Sequence, residues 1–273
     1  MDLEMIGLTS VTFRNLNYKE IIQLCADNGI KAIEWGGDIH VPVGEFELAA
    51  EVGALTRRNG ISTYSYGSYY RLGESRQPEN DFEAVVKTAA SLGCSLVRIW
   101  AGSTDGDCNL EETISDNMEE LRRICPIAAG YQIKIGLEYH RNTLTETKEV
   151  TRRLLDETGA DNLYTYWQMN PDISHEERLE EIELLKDKIC NIHAFYLEKS
   201  GEKPAKDVRC SLKKGMPYWS EYWKLIKPLG CNLIIEFVKD DRIQQLAEDV
   251  ESLRILQNSD IAQRSNTMGS GSL

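Results

Sequence analysis

Four short apolar runs in the second half of the chain each end on a side chain that could bind a metal ion. The four side chains belong to Glu138, Gln168, His193 and Glu236. Each run predicts a buried strand, and a carboxylate or an imidazole at the end of such a strand is costly unless a partner or a metal compensates it. One imidazole, two carboxylates and one amide oxygen form a mixed nitrogen and oxygen set, which suits Mn²⁺, Mg²⁺, Co²⁺ or Zn²⁺. The pattern therefore predicts a site for one divalent metal ion.

Strand-like runs alternate with helix-like segments along the whole chain. The predicted strands are residues 5–13, 31–35, 61–66, 96–101, 133–138, 163–168, 189–195 and 233–238. The predicted helices are residues 18–28, 45–59, 81–92, 110–129, 146–158, 176–188, 218–229 and 243–257. Alternation of this kind predicts a parallel sheet. A doubly wound open sheet is the second choice, but no predicted strand is followed by a glycine-rich phosphate loop.

Eight such pairs in about 250 residues match the size of a closed barrel. The predicted fold class is therefore α/β, a single-domain (β/α)₈ TIM barrel over residues 1–260, followed by a disordered tail over residues 261–273. The active site of such a barrel lies at the carboxyl ends of its strands. All four candidate ligands would consequently converge on one mouth.

The composition excludes several classes of function. The formal net charge of −13 opposes nucleic-acid binding, which needs clustered lysine and arginine. We find no apolar run of the roughly 18 residues that a membrane span requires, and no basic and apolar leader at the N-terminus. The seven cysteines are scattered and form no CxxC pair, which is typical of reduced thiols. We therefore expect a cytoplasmic protein.

Several segments together resemble a known family. They are Ile33–Val41, Arg98–Gly102, Leu137–His140 with Thr143–Thr145, Ile192–Phe195 and Ile235–Glu236. In order and spacing they resemble the xylose isomerase-like TIM barrels, in particular the sugar phosphate isomerase/epimerase family, over about residues 5–257 of the chain. The resemblance extends over essentially the whole barrel.

The resemblance implies a divalent-metal-dependent sugar or sugar-phosphate isomerase or epimerase. Its metal ligands would be Glu138, Gln168, His193 and Glu236, and the two glutamates would also transfer protons through an enediolate. Return of the proton to the same carbon gives epimerisation, and return to the neighbouring carbon gives isomerisation. The substrate would be a small carbohydrate, and the barrel could form a homodimer or homotetramer.

The amide of Gln168 departs from the family pattern, because many members have aspartate at this position. A neutral amide donates less charge, so we expect weaker metal binding and stronger polarisation of a substrate oxygen. Asn170 has the same strand parity and is the alternative ligand.

A second group of side chains is predicted to contact the substrate. His140 has the same parity as Glu138 and should face the mouth. Glu34 and His40 could form a polar wall for sugar hydroxyls, and Trp35 and Trp100 could stack on a sugar face, although packing is the commoner role of such residues.

The long segment Tyr196–Pro217 is predicted to be a functional or mobile loop. Arg209, Leu212, Gly215 and Trp219 resemble a pattern of the family in which an arginine reaches the substrate. The resemblance therefore implies that Arg209, with Lys213 and Lys214 nearby, anchors a phosphate or a distal hydroxyl. A solvated run of charge is the competing interpretation.

Three other functions are considered. A dehydratase of polyol ketones, similar to inosose dehydratase, would use a similar metal site. A nuclease of the endonuclease IV type needs more histidines than the four of this chain and a different charge. A barrel that binds sugar without turnover would not need two opposed carboxylates.

Overall fold

The barrel consists of eight parallel strands. The structure, a computed structural model, describes residues 6–74, 81–104 and 109–268, with side chains up to residue 259. The barrel strands are β1 (Ile6–Thr9), β2 (Ala32–Gly36), β3 (Ser62–Arg71), β4 (Leu96–Trp100), β5 (Lys134–Leu137), β6 (Leu163–Gln168), β7 (Ile189–Ala194) and β10 (Asn232–Ile235). The sheet closes where β10 pairs with β1, with Gly7 opposite Ile234. The prediction of a (β/α)₈ barrel is therefore confirmed.

Eight helices surround the strands. They are α1 (Tyr18–Asp27), α2 (Phe46–Arg58), α3 (Phe82–Leu92), α4 (Leu110–Gly130), α5 (Lys148–Thr158), α6 (His175–Leu185), α7 (Leu212–Ile226) and α8 (Ile243–Met268). Asn17 and Glu20 form a capping box that begins α1, and Gly93 ends α3 in a left-handed conformation with φ of 83°. Local signals of this type explain why most helices lie where the sequence predicts them.

The segment after β7 differs from the prediction. Within the predicted functional or mobile loop, β8 (Tyr196–Lys199) and β9 (Asp207–Cys210) form an antiparallel hairpin. Helix α7 then begins at Leu212, six residues before its predicted start at Tyr218, and contains Pro217. The early start is possible because the Asp249 side chain on α8 accepts a hydrogen bond from the Leu212 backbone nitrogen at 2.8 Å, which satisfies one donor of the first turn.

Two predicted ends also change. Strand β1 stops at Thr9, and a short 3₁₀ turn follows over Ser10–Phe13. Helix α8 continues to Met268, beyond the predicted end at Gln257, while residues 269–273 lie outside the described residues. The boundary between the barrel and a disordered tail stays a prediction.

Two further features concern the cysteines and the helices. Among the described residues, no disulfide joins Cys25, Cys94, Cys125, Cys190, Cys210 or Cys231, and Cys108 lies outside the described residues. Among the helices of the described ranges, none combines the length and the apolar character that crossing a membrane requires.

Burial of Asp249 is expected to make stability depend on pH. Burial raises the pKa of its carboxyl to about 6, and its Oδ2 makes no hydrogen bond with the described residues. The carboxyl of an aspartate in an unfolded chain has a pKa of about 3.9. Between these two pKa values the folded state therefore binds more protons than the unfolded state. The stability that the protonated Asp249 carboxyl contributes is fully present below about pH 4 and is lost as the pH rises through about 6.

We expect the parent protein to lose on the order of 2 kcal/mol relative to Asp249→Asn between pH 4 and pH 7. Urea unfolding at several pH values measures this difference. Parallel pH profiles for the two proteins would contradict it.

Candidate metal centre

The four predicted ligands meet at one mouth of the barrel. Glu138 directly follows β5, Gln168 ends β6, His193 lies in β7 and Glu236 directly follows β10. Ligand atoms of Glu138, His193 and Glu236 lie within 4.8 Å of one another, and all three residues are buried. The carboxyl ends of parallel strands thus bring together residues that are far apart in sequence.

The two ring nitrogens of His193 face different partners. Its Nδ1 lies 3.1 Å from Gln168 Oε1, 3.4 Å from Glu236 Oε2 and 3.9 Å from Glu138 Oε1. Its Nε2 lies 3.2 Å from Glu34 Oε1. When neutral His193 donates its Nε2 hydrogen to Glu34, the lone pair of Nδ1 points toward the other three residues. A metal-binding histidine is commonly oriented in this way by a carboxylate on its second nitrogen.

A buried arginine connects two of the glutamates. Arg98 of β4 forms ion pairs with Glu34, at 3.2 Å, and with Glu138. Ser65 Oγ donates a hydrogen bond of 2.9 Å to the second oxygen of Glu34. Glu34 has no exposed surface, and both of its oxygens have protein partners. Its contact with a substrate stays a prediction.

The pKa values in the cluster move in opposite directions. Burial alone would lower the pKa of His193, but the carboxylates of Glu236 and Glu34 raise it to about 9. Burial raises the pKa of Glu236 to about 7, and the positive charges of His193 and Arg98 only partly oppose this shift. Burial would also raise the pKa of Glu34, yet Arg98 and His193 hold it well below its usual value.

The charge balance of the cluster fits a divalent cation. Three ionised glutamates face one guanidinium, that of Arg98, which leaves two negative charges when His193 is neutral. Oε2 of Glu236 is buried and makes no hydrogen bond with the described residues. Buried carboxylates are paired or coordinate metals, and oxygen with one imidazole nitrogen is a donor set of several divalent ions. The residues present therefore fit a divalent metal.

Gln168, and not Asn170, faces this centre. The Asn170 side chain accepts a hydrogen bond of 2.9 Å from the Asp172 backbone nitrogen. Gln168 is 8% exposed and directs its oxygen to His193. The geometry thus favours Gln168 as the fourth ligand.

Replacing Gln168 by aspartate is expected to tighten metal binding, because it adds one negative charge beside the cation. We expect an increase in Mn²⁺ affinity of about tenfold or more, equivalent to roughly 1.4 kcal/mol. Calorimetric titration of the metal-free protein measures the affinity, with Asn170→Asp as the control. A lower affinity in Gln168→Asp would contradict the charge argument.

A cavity of about 110 Å³ lies beside Gln168. Its lining includes His140, Arg141, Gln168, Asn170, Phe195 and Phe237. The His140 ring stacks on Trp100 with centroids 4.5 Å apart, and its Nδ1 lies 2.7 Å from the Arg141 carbonyl oxygen. An Nδ1 hydrogen donated to that carbonyl leaves Nε2 without a proton and able to accept one. His140 therefore lies at the pocket, as predicted, and Trp100 supports its ring.

Two residues predicted to contact substrate, Trp35 and His40, pack against each other. Trp35 is fully buried, and the His40 ring packs against it edge-on at 6.1 Å between centroids. His40 Nε2 also lies 2.9 Å from the Leu16 carbonyl oxygen. Neither residue is among those that line the cavity beside Gln168. Their contact with a substrate stays a prediction.

Arg209 lies on β9 and forms an ion pair with Asp241. Its guanidinium also lies 4.4 Å from the ring centre of Phe237, which lines the cavity. Lys214 is paired with Glu198 on the hairpin. Arg209 is thus one side chain away from the cavity, and its role as an anchor for the substrate stays a prediction.

For two residues at the mouth of the barrel, the sequence analysis predicted no role. Arg98 is 2% exposed, and a buried arginine within an apolar strand is itself a signal that an acidic partner is near. Tyr69 has a φ of 60°, and its ring centre lies 5.4 Å from the Arg98 guanidinium. A positive φ in a bulky residue is often found near functional sites, but no pattern in the sequence predicts this conformation.

Comparisons with known proteins agree with this architecture. The family model described as xylose isomerase-like TIM barrel matches residues 22–256. A 3-dehydroshikimate dehydratase of Bacillus anthracis is 23% identical over 197 residues, which cover 62% of this chain and 69% of that protein.

Solved structures show the same fold. A probable 3-DHS dehydratase of Bacillus anthracis superposes with a TM-score of 0.75 at 18% identity, covering 92% of this chain and 98% of that one. A D-psicose 3-epimerase of Clostridium cellulolyticum, solved with D-tagatose, gives 0.66 at 15% identity, covering 93% and 98%. A barrel of Mycobacterium smegmatis in complex with magnesium gives 0.67 at 15% identity, covering 93% and 97%.

Proposed function

Because the chain belongs to the xylose isomerase-like TIM barrel family, we propose that it is a divalent-metal-dependent enzyme that removes a proton beside a carbonyl group. Its substrate would be a small polyhydroxylated aldehyde or ketone. The observation that carries this proposal is the convergence of Glu138, His193 and Glu236 within 4.8 Å at the barrel mouth. A net charge that a divalent cation balances supports it further.

The side chains at the centre would bind the metal ion and transfer the proton. Glu138, Gln168, His193 and Glu236 would hold the metal ion. When bound, the ion acts as a Lewis acid, which makes the hydrogens beside a coordinated carbonyl more acidic. Glu236 suits the transfer of that proton, since one of its buried oxygens has no hydrogen bond among the described residues. The His140 Nε2 atom is a second acceptor at the cavity.

Dehydration is the outcome that the structure supports best. Epimerisation needs a second group that returns the proton from the opposite face of the substrate. Glu138 is poorly suited to this donation because its carboxylate is already held in a buried ion pair with Arg98. Dehydration breaks a C–H bond and the C–O bond of a hydroxyl one carbon further from the carbonyl, and it forms a C=C bond and water. The likeness to a 3-dehydroshikimate dehydratase favours the same outcome.

Isomerisation or epimerisation of a sugar is the second candidate. The two glutamates at the centre and the likeness to D-psicose 3-epimerase favour it. A single group that removes and returns the proton on one face would suffice for isomerisation.

Proton exchange and product analysis distinguish these reactions. The Mn²⁺-loaded protein is incubated in D₂O with D-psicose, D-tagatose or 3-dehydroshikimate, and the mixture is followed by NMR. A product that has lost water and gained one C=C bond relative to its substrate supports dehydration, whereas deuterium incorporation with a new sugar supports isomerisation or epimerisation. Metal binding without exchange or product from any compound would count against the proposal and favour a barrel that only binds sugar.

A further inference from the structure

A buried carboxylate behind the metal centre has no role in the proposed chemistry. Glu181 lies on α6 and is 4% exposed. Its Oε1 accepts a hydrogen bond of 2.7 Å from the Tyr139 hydroxyl, and its Oε2 accepts one of 3.2 Å from Trp167 Nε1. Both oxygens are therefore used by uncharged donors from two neighbouring segments of the barrel.

The two donors are the immediate neighbours of candidate ligands. Tyr139 stands between Glu138 and His140, and Trp167 directly precedes Gln168. Successive side chains of an extended segment point to opposite faces. Tyr139 and Trp167 accordingly point outward to the helix layer where their neighbours point into the mouth. A displacement of either outward side chain would rotate the ligand beside it.

Packing leaves this arrangement little freedom. Trp167 is fully buried and meets Trp219 and Tyr222 edge-on, at 6.2 Å and 5.3 Å between ring centroids. Glu181 holds the ring nitrogen of the same residue, so the indole is restrained by packing and by a hydrogen bond.

The burial of the Glu181 carboxyl also costs folding free energy. None of the ion pairs among the described residues includes it, and burial raises its pKa to about 7. A buried carboxyl without a cation costs stability, and glutamine or an apolar residue would cost less. A role in holding the ligands explains its presence.

We propose that Glu181 is a positioning residue that holds Glu138 and Gln168 in metal-binding geometry by anchoring Tyr139 and Trp167. The inference rests on the proposed function and extends it to a group that touches neither metal nor substrate. Partners that orient metal ligands commonly contribute about ten- to one-hundred-fold to metal affinity.

The test measures Mn²⁺ affinity by calorimetric titration of metal-free protein, and stability by urea unfolding in the absence of metal. Glu181→Leu is expected to bind Mn²⁺ about ten- to one-hundred-fold more weakly while it remains folded. Glu181→Gln should recover most of the affinity, because its amide oxygen can accept from Trp167 and its nitrogen can donate to the Tyr139 oxygen.

Glu120→Leu is the matched control. Glu120 on α4 is 8% exposed and accepts hydrogen bonds from the Tyr70 hydroxyl and the Gly73 backbone nitrogen, at the end of β3. Because β3 carries none of the candidate ligands, this variant should lose stability but keep its Mn²⁺ affinity. A purely structural role of Glu181 would make the two leucine variants behave alike.

The outcomes separate this inference from the proposed function. Parent-like Mn²⁺ affinity in folded Glu181→Leu overturns the positioning role and leaves the proposed function standing. Absence of Mn²⁺ binding in the parent protein overturns both. If Glu181→Leu does not fold, Tyr139→Phe and Trp167→Phe decide, since each removes one anchoring hydrogen bond. Unchanged affinity in both variants also overturns the proposal.

Discussion

Replacing Glu236 by glutamine is expected to slow proton transfer by about 10²- to 10⁴-fold, the usual contribution of a general acid or base. The change removes the carboxylate whose buried Oε2 has no hydrogen bond within the part of the chain that the structure describes, and it keeps the volume of the side chain. It also takes one negative charge from the cluster, so Mn²⁺ affinity should fall as well. Deuterium exchange at saturating Mn²⁺ separates the loss of proton transfer from the loss of metal.

Glu198→Gln is the control for this prediction. Glu198 on β8 forms an ion pair with Lys214 of α7 and is not one of the candidate ligands. Its replacement should therefore change neither the Mn²⁺ affinity nor the rate of deuterium exchange. Exchange at the parent rate in metal-loaded Glu236→Gln would remove Glu236 from the proton-transfer step. Exchange that persists in the metal-free parent would contradict the role of the metal.

Replacing Arg98 by methionine is expected to destabilise the metal-free protein by about 3–5 kcal/mol, the usual cost of leaving a buried charge without its partner. Methionine fills much of the same volume, so the effect is mainly electrostatic. Glu34 and Glu138 would both lose their guanidinium, while neither is more than 2% exposed. Urea unfolding at pH 7 measures the change.

A double variant identifies the source of this effect. Arg98→Met combined with Glu34→Gln removes one of the two stranded charges, so it should be more stable than Arg98→Met alone. Saturating Mn²⁺ should also restore part of the stability, because the cation binds the folded state and compensates the remaining carboxylates. If the second substitution lowered stability further by its own full cost, Arg98 and Glu34 would be energetically independent and the argument would fail.

The main features of the fold and the ligand positions follow from local patterns. Apolar runs of strand length, helical periodicity and glycines such as Gly93 at helix ends are properties of a few consecutive residues. Parallel strands of a barrel present their carboxyl ends to one side, so the positions of Glu138, His193 and Glu236 were sufficient to predict a shared mouth.

The partners of the polar residues were decided only by the tertiary structure. The same alternation rule that placed His140 at the mouth also favoured Glu34 and His40 as substrate contacts. Glu34 instead meets Arg98 and His193, because β4 and β7 bring those residues to it across the barrel. A period of two says which face a side chain occupies but not how deep it lies or which charge it meets.

By itself, the sequence thus determined the barrel, its mouth and the side chains that could bind a metal, because each depends on local periodicity and on the chemistry of single residues. The tertiary structure decided which nitrogen of His193 faces the ligands and which glutamates form ion pairs with Arg98. It also decided that Glu181 accepts hydrogen bonds from Tyr139 and Trp167. These contacts join residues 14 to 159 positions apart, and their geometry exists only when the strands and helices are packed together.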